Sequence, residues 1–158
     1  MMRFKTDIKK SDIEGYGLFA GEDIPKGSVI ALWCPDVDHG TKNLEEYLEN
    51  RILKAHDRVF QMTCCRWLDD LFVYGYEVRE DGYINHSFDP SMLYYLGICF
   101  ARRHIKKGDE LTINHEYILT ENDPWSFVDS QSGKKVDGMP SEQYYKDSAI
   151  KLWEIFKN

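Results

Sequence analysis

His115 and Tyr117, two residues apart, are side chains whose imidazole and hydroxyl could take part in proton chemistry. An imidazole titrates near neutrality and can act as base or hydrogen-bond partner, whereas a phenol at ordinary pH is a hydroxyl donor. Tyr74 and Tyr76 offer two more hydroxyls, although as strand residues they are equally plausible in a core. The string Gly15-Tyr16-Gly17-Leu18-Phe19-Ala20 satisfies a dinucleotide-binding fingerprint as letters. That fingerprint works only where the glycines end a strand and open a helix whose N-terminus receives the pyrophosphate. Here Glu22-Asp23-Ile24-Pro25-Lys26-Gly27 follows, which cannot continue a helix, so dinucleotide binding is rejected. Asn85-His86-Ser87 is a formal glycosylation sequon, but Met1-Met2-Arg3-Phe4-Lys5-Thr6-Asp7 has no apolar stretch for secretion, so none is expected. Cys34, Cys64, Cys65 and Cys99 lack the spacing of a zinc site. Buried reduced thiols and no bound metal are expected.

The elements that must position these groups are mostly short strands. Gly15 to Ala20 alternates into a turn, Ile24-Pro25-Lys26-Gly27 is a second turn, and Ser28 to Trp33 reads as a buried strand. Asn43 to His56 has a helical pattern, with Leu44, Tyr47, Leu48, Ile52 and Leu53 on one side and Asn43 or Thr41 as cap. Aromatic and β-branched residues from Val59 to Val78 predict strands, as does the run from Leu93 to Arg103. Ile105-Lys106-Lys107-Gly108 repeats the turn-then-strand logic before Glu110-Leu111-Thr112. Residues 121–140 read as a long loop. Ser141 is expected to cap a final helix with a stripe of Tyr145, Ala149, Leu152, Trp153 and Phe156. The class is mainly β, with peripheral helices near 43–56 and 141–157.

At 158 residues the chain fits a single domain. A hydrophobic fraction of 42% excludes disorder, and no apolar run is long enough to cross a bilayer. Lys and Arg number 20 against 27 Asp and Glu, a net charge of −7. That balance argues against a nucleic-acid partner and is compatible with a cationic substrate or cofactor. An intracellular, cytoplasmic protein is the expectation, with a nuclear location as the alternative; the oligomeric state is left open.

Three strings read in order carry more information than any one of them. They are Gly15-Tyr16-Gly17-Leu18-Phe19-Ala20, then Gly82-Tyr83-Ile84-Asn85-His86-Ser87-Phe88-Asp89-Pro90-Ser91, then Phe100-Ala101-Arg102-Arg103-His104-Ile105-Lys106-Lys107-Gly108-Asp109-Glu110-Leu111-Thr112. Their order and spacing closely resemble the SET-domain family of protein-lysine methyltransferases, over about residues 8–118. Residues 37–80 stand where that family carries its variable insert, and 119–158 form a C-terminal loop and helix. The resemblance implies a β-clip fold of several short sheets, in which the strand at Asn85-His86 and the C-terminal segment thread through one another. It implies S-adenosylmethionine as cofactor, contacted by Gly15, Tyr16 and Gly17 with little bulk and by Asn85 and His86 along its methionine and adenosine parts. Residues 119–158 hold no cysteine-rich stretch, so no zinc site is expected to cover that cofactor. Trp125 or Phe127 is expected to stack on the adenine, or else to pack against the final helix.

Methyl transfer from a sulfonium to a lysine amine is an in-line displacement that needs alignment and exclusion of water. Free lysine must lose a proton first, which costs roughly 4.6 kcal/mol at pH 7. Sulfonium proximity and partial burial lower that cost, so a strong base is not obligatory. The family instead supplies a channel walled by tyrosines, for which Tyr74 and Tyr76 are candidates here. One tyrosine normally stands two residues after Glu-Leu-Thr and orients the amine; this chain has His115 there. Three accounts follow: His115 takes over the role, Tyr117 reaches the site through a bulge, or the domain binds without turnover. Phe88 and Ser91 depart from the common residues after Asn-His-Ser. The expected function is lysine methylation on a protein substrate. The alternatives are a silent SET module that binds cofactor or partner, and a β-clip protein with a small-molecule role.

Overall fold

Two glycines in the left-handed region set the chain's course. Gly27 has φ +80° and Gly108 φ +92°, conformations that cost a side-chain-bearing residue more than glycine. Ile24 and Ile105, at the heads of these two turns, exchange backbone hydrogen bonds of 2.8 and 2.9 Å. The repeated turn logic thus produces two mated corners, each launching a strand. The computed structural model describes residues 1–33, 39–43, 45–47, 49, 57–68 and 71–157.

Among these the strands are β1 (Thr6–Lys10), β2 (Tyr16–Ala20), β3 (Val29–Leu32), β4 (His39–Lys42), β5 (Cys65–Leu68), β6 (Leu71–Gly75), β7 (Asn85–His86), β8 (Met92–Tyr95), β9 (Ile98–Ala101), β10 (Glu110–Ile113), β11 (Phe127–Val128) and β12 (Lys135–Val136). Helix α1 is Arg58–Thr63 and α2 is Ser141–Phe156. The sheets run β1-β2-β10-β7, β3-β9-β8, β4-β6-β5 and β11-β12. In the first, β7 lies parallel to β10, pairing Asn85 with Thr112 and His86 with Ile113. Leu18, Ile24, Ile30, Leu93, Tyr94, Ile105, Leu111 and Tyr117 are among the side chains of the main core. A smaller cluster of Tyr47, Phe60, Cys64 and Phe72 lies beside it. No helix among the described residues is long and apolar enough to cross a membrane.

The Asn43 cap is present: its side chain accepts from the Glu46 N–H at 2.9 Å, and Glu46 accepts in return from the Asn43 N–H at 3.3 Å. Residues 45–47 and 49 are helical, with Tyr47 stacked on Phe72 at 3.7 Å between ring centroids. Leu44, Leu48, Ile52 and Leu53 of that expected helix lie outside the described residues.

Four expectations need correction. Residues 58–63 form α1 rather than a strand, because Asp57 caps the Phe60 N–H at 3.2 Å and Phe60 is buried against Tyr74 and Trp125. Propensity yields there to a cap and a tertiary contact. The run from Leu93 to Arg103 is a hairpin: Leu96 (φ +50°) and Gly97 (φ +81°) turn β8 into β9. The loop 121–140 contains the β11-β12 pair. In α2, Ser141 is the first helical residue, with Pro140 before it lacking a side-chain cap bond. Its buried face is Tyr144, Ser148 and Ile155, and Trp153 is 69% exposed. The face is set by Tyr144, whose hydroxyl accepts the Leu96 N–H at 2.7 Å while its ring packs on Tyr94 and Tyr117.

Candidate functional site

Around the parallel β7-β10 pair, side chains lock the two segments together. The Ser87 N–H donates to the Ile113 carbonyl at 3.0 Å. Ser91 is buried and ties its own N–H to Thr112 Oγ1 and its Oγ to the Thr112 N–H, at 3.0 and 2.9 Å. The serine after Asp89-Pro90 therefore serves as a strap. The His115 N–H donates to His86 Nδ1 at 3.1 Å. A neutral His86 then carries its proton on Nε2, a buried atom with no acceptor among the described residues. Its ring lies 4.6 Å from Phe88, 5.5 Å from His115 and 5.6 Å from Phe127, centroid to centroid. Burial holds its pKa below the usual histidine range, against the opposing pull of Asp129 and Glu116.

The two glycines of the first string do different jobs. Gly15 takes φ +50° with open space about it. Gly17 is needed for close approach, because a Cβ there would lie 2.1 Å from Glu110 Oε1 and 3.1 Å from Asn85 Nδ2. Glu110 fills that space. It accepts from Asn85 Nδ2 at 2.8 Å, and each of its oxygens accepts from Ser11 Oγ at 2.9 Å. The Tyr16 side chain is exposed on β2.

A cavity of about 270 Å³ opens beside this frame. Asn85, Ile113 and His115 line it from the β7-β10 segments, and Gln61, Met62, Thr63, Cys64 and Cys65 line it from α1 and the start of β5. Trp125 and Phe127 contribute from the later loop, and Trp33, Ile84, Ile118 and Leu119 add apolar surface beside the Asp81 carboxylate. Trp125 is held by Asp123, whose buried carboxylate accepts the Trp125 N–H at 3.0 Å and the Tyr47 hydroxyl at 2.7 Å. The Trp125 ring meets Phe60 edge-on at 5.8 Å. The Trp33 indole donates to Asp81.

The structure thus brings together His115, Asn85, Trp125 and Phe127 at one cavity, with His86 packed behind His115. Tyr117 faces elsewhere. It is 2% exposed, its hydroxyl donates to Asp147 and receives from Lys151 on α2, and Lys151 also bonds Asp147 at 2.8 Å. Burial, and then the Asp147 carboxylate, push its phenol well above the ordinary range. Tyr76 is 60% exposed and meets Tyr74 edge-on at 5.6 Å; neither lines the cavity. Gly15, Tyr16 and Gly17 adjoin Asn85 from the Glu110 side, outside the cavity lining. Sequence reasoning missed Glu110 and Ser11 as partners of Asn85, and missed residues 61–65 as cavity wall. The close spacing forced by Gly17 has no signature in the letters, whereas Asp57 three residues before Phe60 was a readable cap. The described cysteines, Cys64, Cys65 and Cys99, are buried, and burial raises the Cys99 thiol. Among the described residues no cluster of three or more His, Cys, Asp or Glu could hold a metal ion.

Comparison with known proteins gives a consistent result. The family model described as the SET domain matches residues 15–116. A protein of Mycosarcoma maydis named histone-lysine N-methyltransferase, H3 lysine-36 specific, is 32% identical over 127 residues, 75% of this chain and 13% of that protein. The variant-silencing SET domain-containing protein of Plasmodium falciparum is 31% identical over 132 residues, 73% of this chain and 5% of its own length. The chain therefore spans only a small part of either relative. The fold is similar to that of the Neurospora SET-domain protein DIM-5, a histone lysine methyltransferase, with TM-score 0.52 and 22% identity over 70% of this chain and 51% of that one.

Proposed function

The chain belongs to the SET-domain family, and on that footing we propose that it binds S-adenosylmethionine and methylates a lysine of a protein substrate. The observation that carries this reading is the site's construction: Asn85 on β7 and His115 on the turn after β10 reach one largely apolar cavity from segments strapped side by side. The residues present fit the cofactor, since among the described residues the buried donor His86 Nε2 has no acceptor and the Asn85 carbonyl oxygen has no donor. When bound, the cofactor supplies an electrophilic methyl group on sulfonium. The chain's own task is to hold a neutral amine in line with it and to exclude water. Trp33, Ile113, Ile118 and Phe127 exclude water, which disfavours the charged ammonium and aids its deprotonation. His115 is the group placed to orient the amine or take its proton, as its turn is tied to His86. The net charge of −7 suits a lysine-bearing, cationic substrate surface.

A second reading has its own observation. No tyrosine lines the cavity among the described residues, and the position expected to hold one has His115. A SET module that binds cofactor and a protein partner without turnover would tolerate that. Titration with S-adenosylhomocysteine tests the shared premise. Ligand that binds only the native state stabilises it by RT ln(1 + [L]/Kd) and so raises the melting temperature, and Asn85→Ala is expected to remove the rise while leaving the fold intact. A melting curve indifferent to millimolar ligand would remove the cofactor from both readings. Given binding, transfer of labelled methyl groups to lysine-rich proteins separates enzyme from silent module.

A further inference from the structure

We propose that Glu110, supported by Ser11 and by the missing side chain of Gly17, is a positioning residue that fixes the Asn85 amide so that its carbonyl oxygen is presented to a cationic amine at the amino-acid end of the cofactor. This rests on the cofactor reading above. The orientation of an amide follows from its partners, because nitrogen only donates and oxygen only accepts. Every partner around Asn85 Nδ2 is an acceptor: Glu110 Oε1 at 2.8 Å, the Glu14 carbonyl at 3.3 Å and the Tyr16 carbonyl at 3.4 Å. Flipping the amide would set its oxygen against a carboxylate and two carbonyls. Asn85 Oδ1 therefore points away from this group, and no donor reaches it among the described residues.

Glu110 is itself fixed. Ser11 Oγ spans both of its oxygens at 2.9 Å, and the Ile13 N–H donates to Ser11 Oγ at 2.9 Å, so the hydroxyl is committed to the carboxylate. The space that Glu110 occupies exists only because residue 17 has no Cβ. An acceptor oxygen within reach of a carboxylate and two carbonyls selects a positively charged donor over a neutral one. The cofactor carries such a donor in its α-amino group, whereas its nucleoside part does not. Glu110 acts through Asn85, and its loss should leave recognition of the nucleoside unchanged.

The test compares two ligands by isothermal titration calorimetry: S-adenosylhomocysteine, which has the amino group, and methylthioadenosine, which lacks the amino-acid end. Glu110→Ala is expected to weaken S-adenosylhomocysteine on the order of tenfold or more, the loss expected when a positioned hydrogen bond to a charged group fails, and to leave methylthioadenosine within about twofold. Glu110→Gln is the conservative variant, because its carbonyl still accepts from Asn85 and its amide can donate to Ser11 Oγ; it should recover part of the loss. Ser11→Ala, a milder change, should lower S-adenosylhomocysteine affinity in the same selective way. Equal losses for both ligands, or no loss for either, would overturn the positioning role. A wild-type protein that binds neither ligand would overturn the cofactor reading instead.

Discussion

Replacing Tyr117 with phenylalanine removes one hydroxyl and separates stability from turnover. That hydroxyl sits in a closed group with Asp147 and Lys151, remote from the cavity that His115 lines. Hydrogen bonds to charged partners contribute about 1.5–3 kcal/mol each when enclosed. Asp147 and Lys151 keep their own pair at 2.8 Å and have side chains 34% and 41% exposed, so water can replace part of what is lost. A net loss of about 1–2 kcal/mol is expected, which for a chain of this size lowers Tm by about 2–8 °C. Methylation should change by less than about threefold, since the phenol would not touch the reacting amine. His115→Ala should behave in the opposite sense, with Tm little altered and turnover reduced on the order of 10²-fold, the cost of a lost transition-state hydrogen bond. The assays are a melting curve and initial methylation rates at saturating cofactor. Tyr117→Phe with an unchanged melting curve and a turnover loss of that size would refute the assignment and restore the bulge account.

Two further outcomes test the frame around the site. His86 is held neutral by burial, so its contribution to stability is complete above about pH 6.5 and falls away as pH drops through its lowered native pKa. Between about pH 6.5 and 5 the melting temperature of the ligand-free protein should fall further in the wild type than in His86→Gln; parallel curves would show that the imidazole is not buried neutral. Gly97→Ala should cost about 3 kcal/mol, or about 6–12 °C in Tm, from its positive φ and from overpacking. A Cβ there would lie 2.3 Å from the Trp33 carbonyl and 2.7 Å from the Trp67 ring. A variant as stable as the wild type would mean that the β8-β9 turn is not built as described.

What the sequence made legible is what local chemistry decides. The glycine turns at Gly27 and Gly108, the Asn43 cap, the strands that follow each turn and the helix from residue 141 are all visible, because each is fixed by a few neighbouring residues. The three strings identified the family, whereas the parallel pairing of β7 with β10, which no local pattern predicts, is seen only in the structure. What stayed hidden depends on contacts between distant segments. Phe60 becomes helical because Tyr74 and Trp125 cover it. The inward face of α2 turns on a bond from Leu96 to the Tyr144 hydroxyl, 48 residues away. As letters Gly15 and Gly17 look equivalent, although one answers a backbone angle and the other makes room for Glu110.

The division of labour around the cavity bears on where specificity should be sought. Asn85, Ile113 and His115 lie within residues 15–116, the span matched to the family, and so do α1 and its buried Phe60. Trp125 and Phe127 lie beyond it, yet they line the same cavity. Their placement depends on Asp123, which ties the Trp125 backbone to the Tyr47 hydroxyl across 76 residues of chain. The wall is therefore shared between the insert and the segment that follows the family core, and the Asp123 carboxylate is its joint. A substitution at Asp123 would remove an acceptor shared by the Trp125 N–H, the Tyr47 hydroxyl and the N–H and hydroxyl of Thr120, and so loosen this joint. If the chain methylates lysine as proposed, differences in substrate choice between it and its relatives are to be looked for in residues 57–65 and 120–128, whereas changes at Glu110, Asn85 or His86 would act on the cofactor.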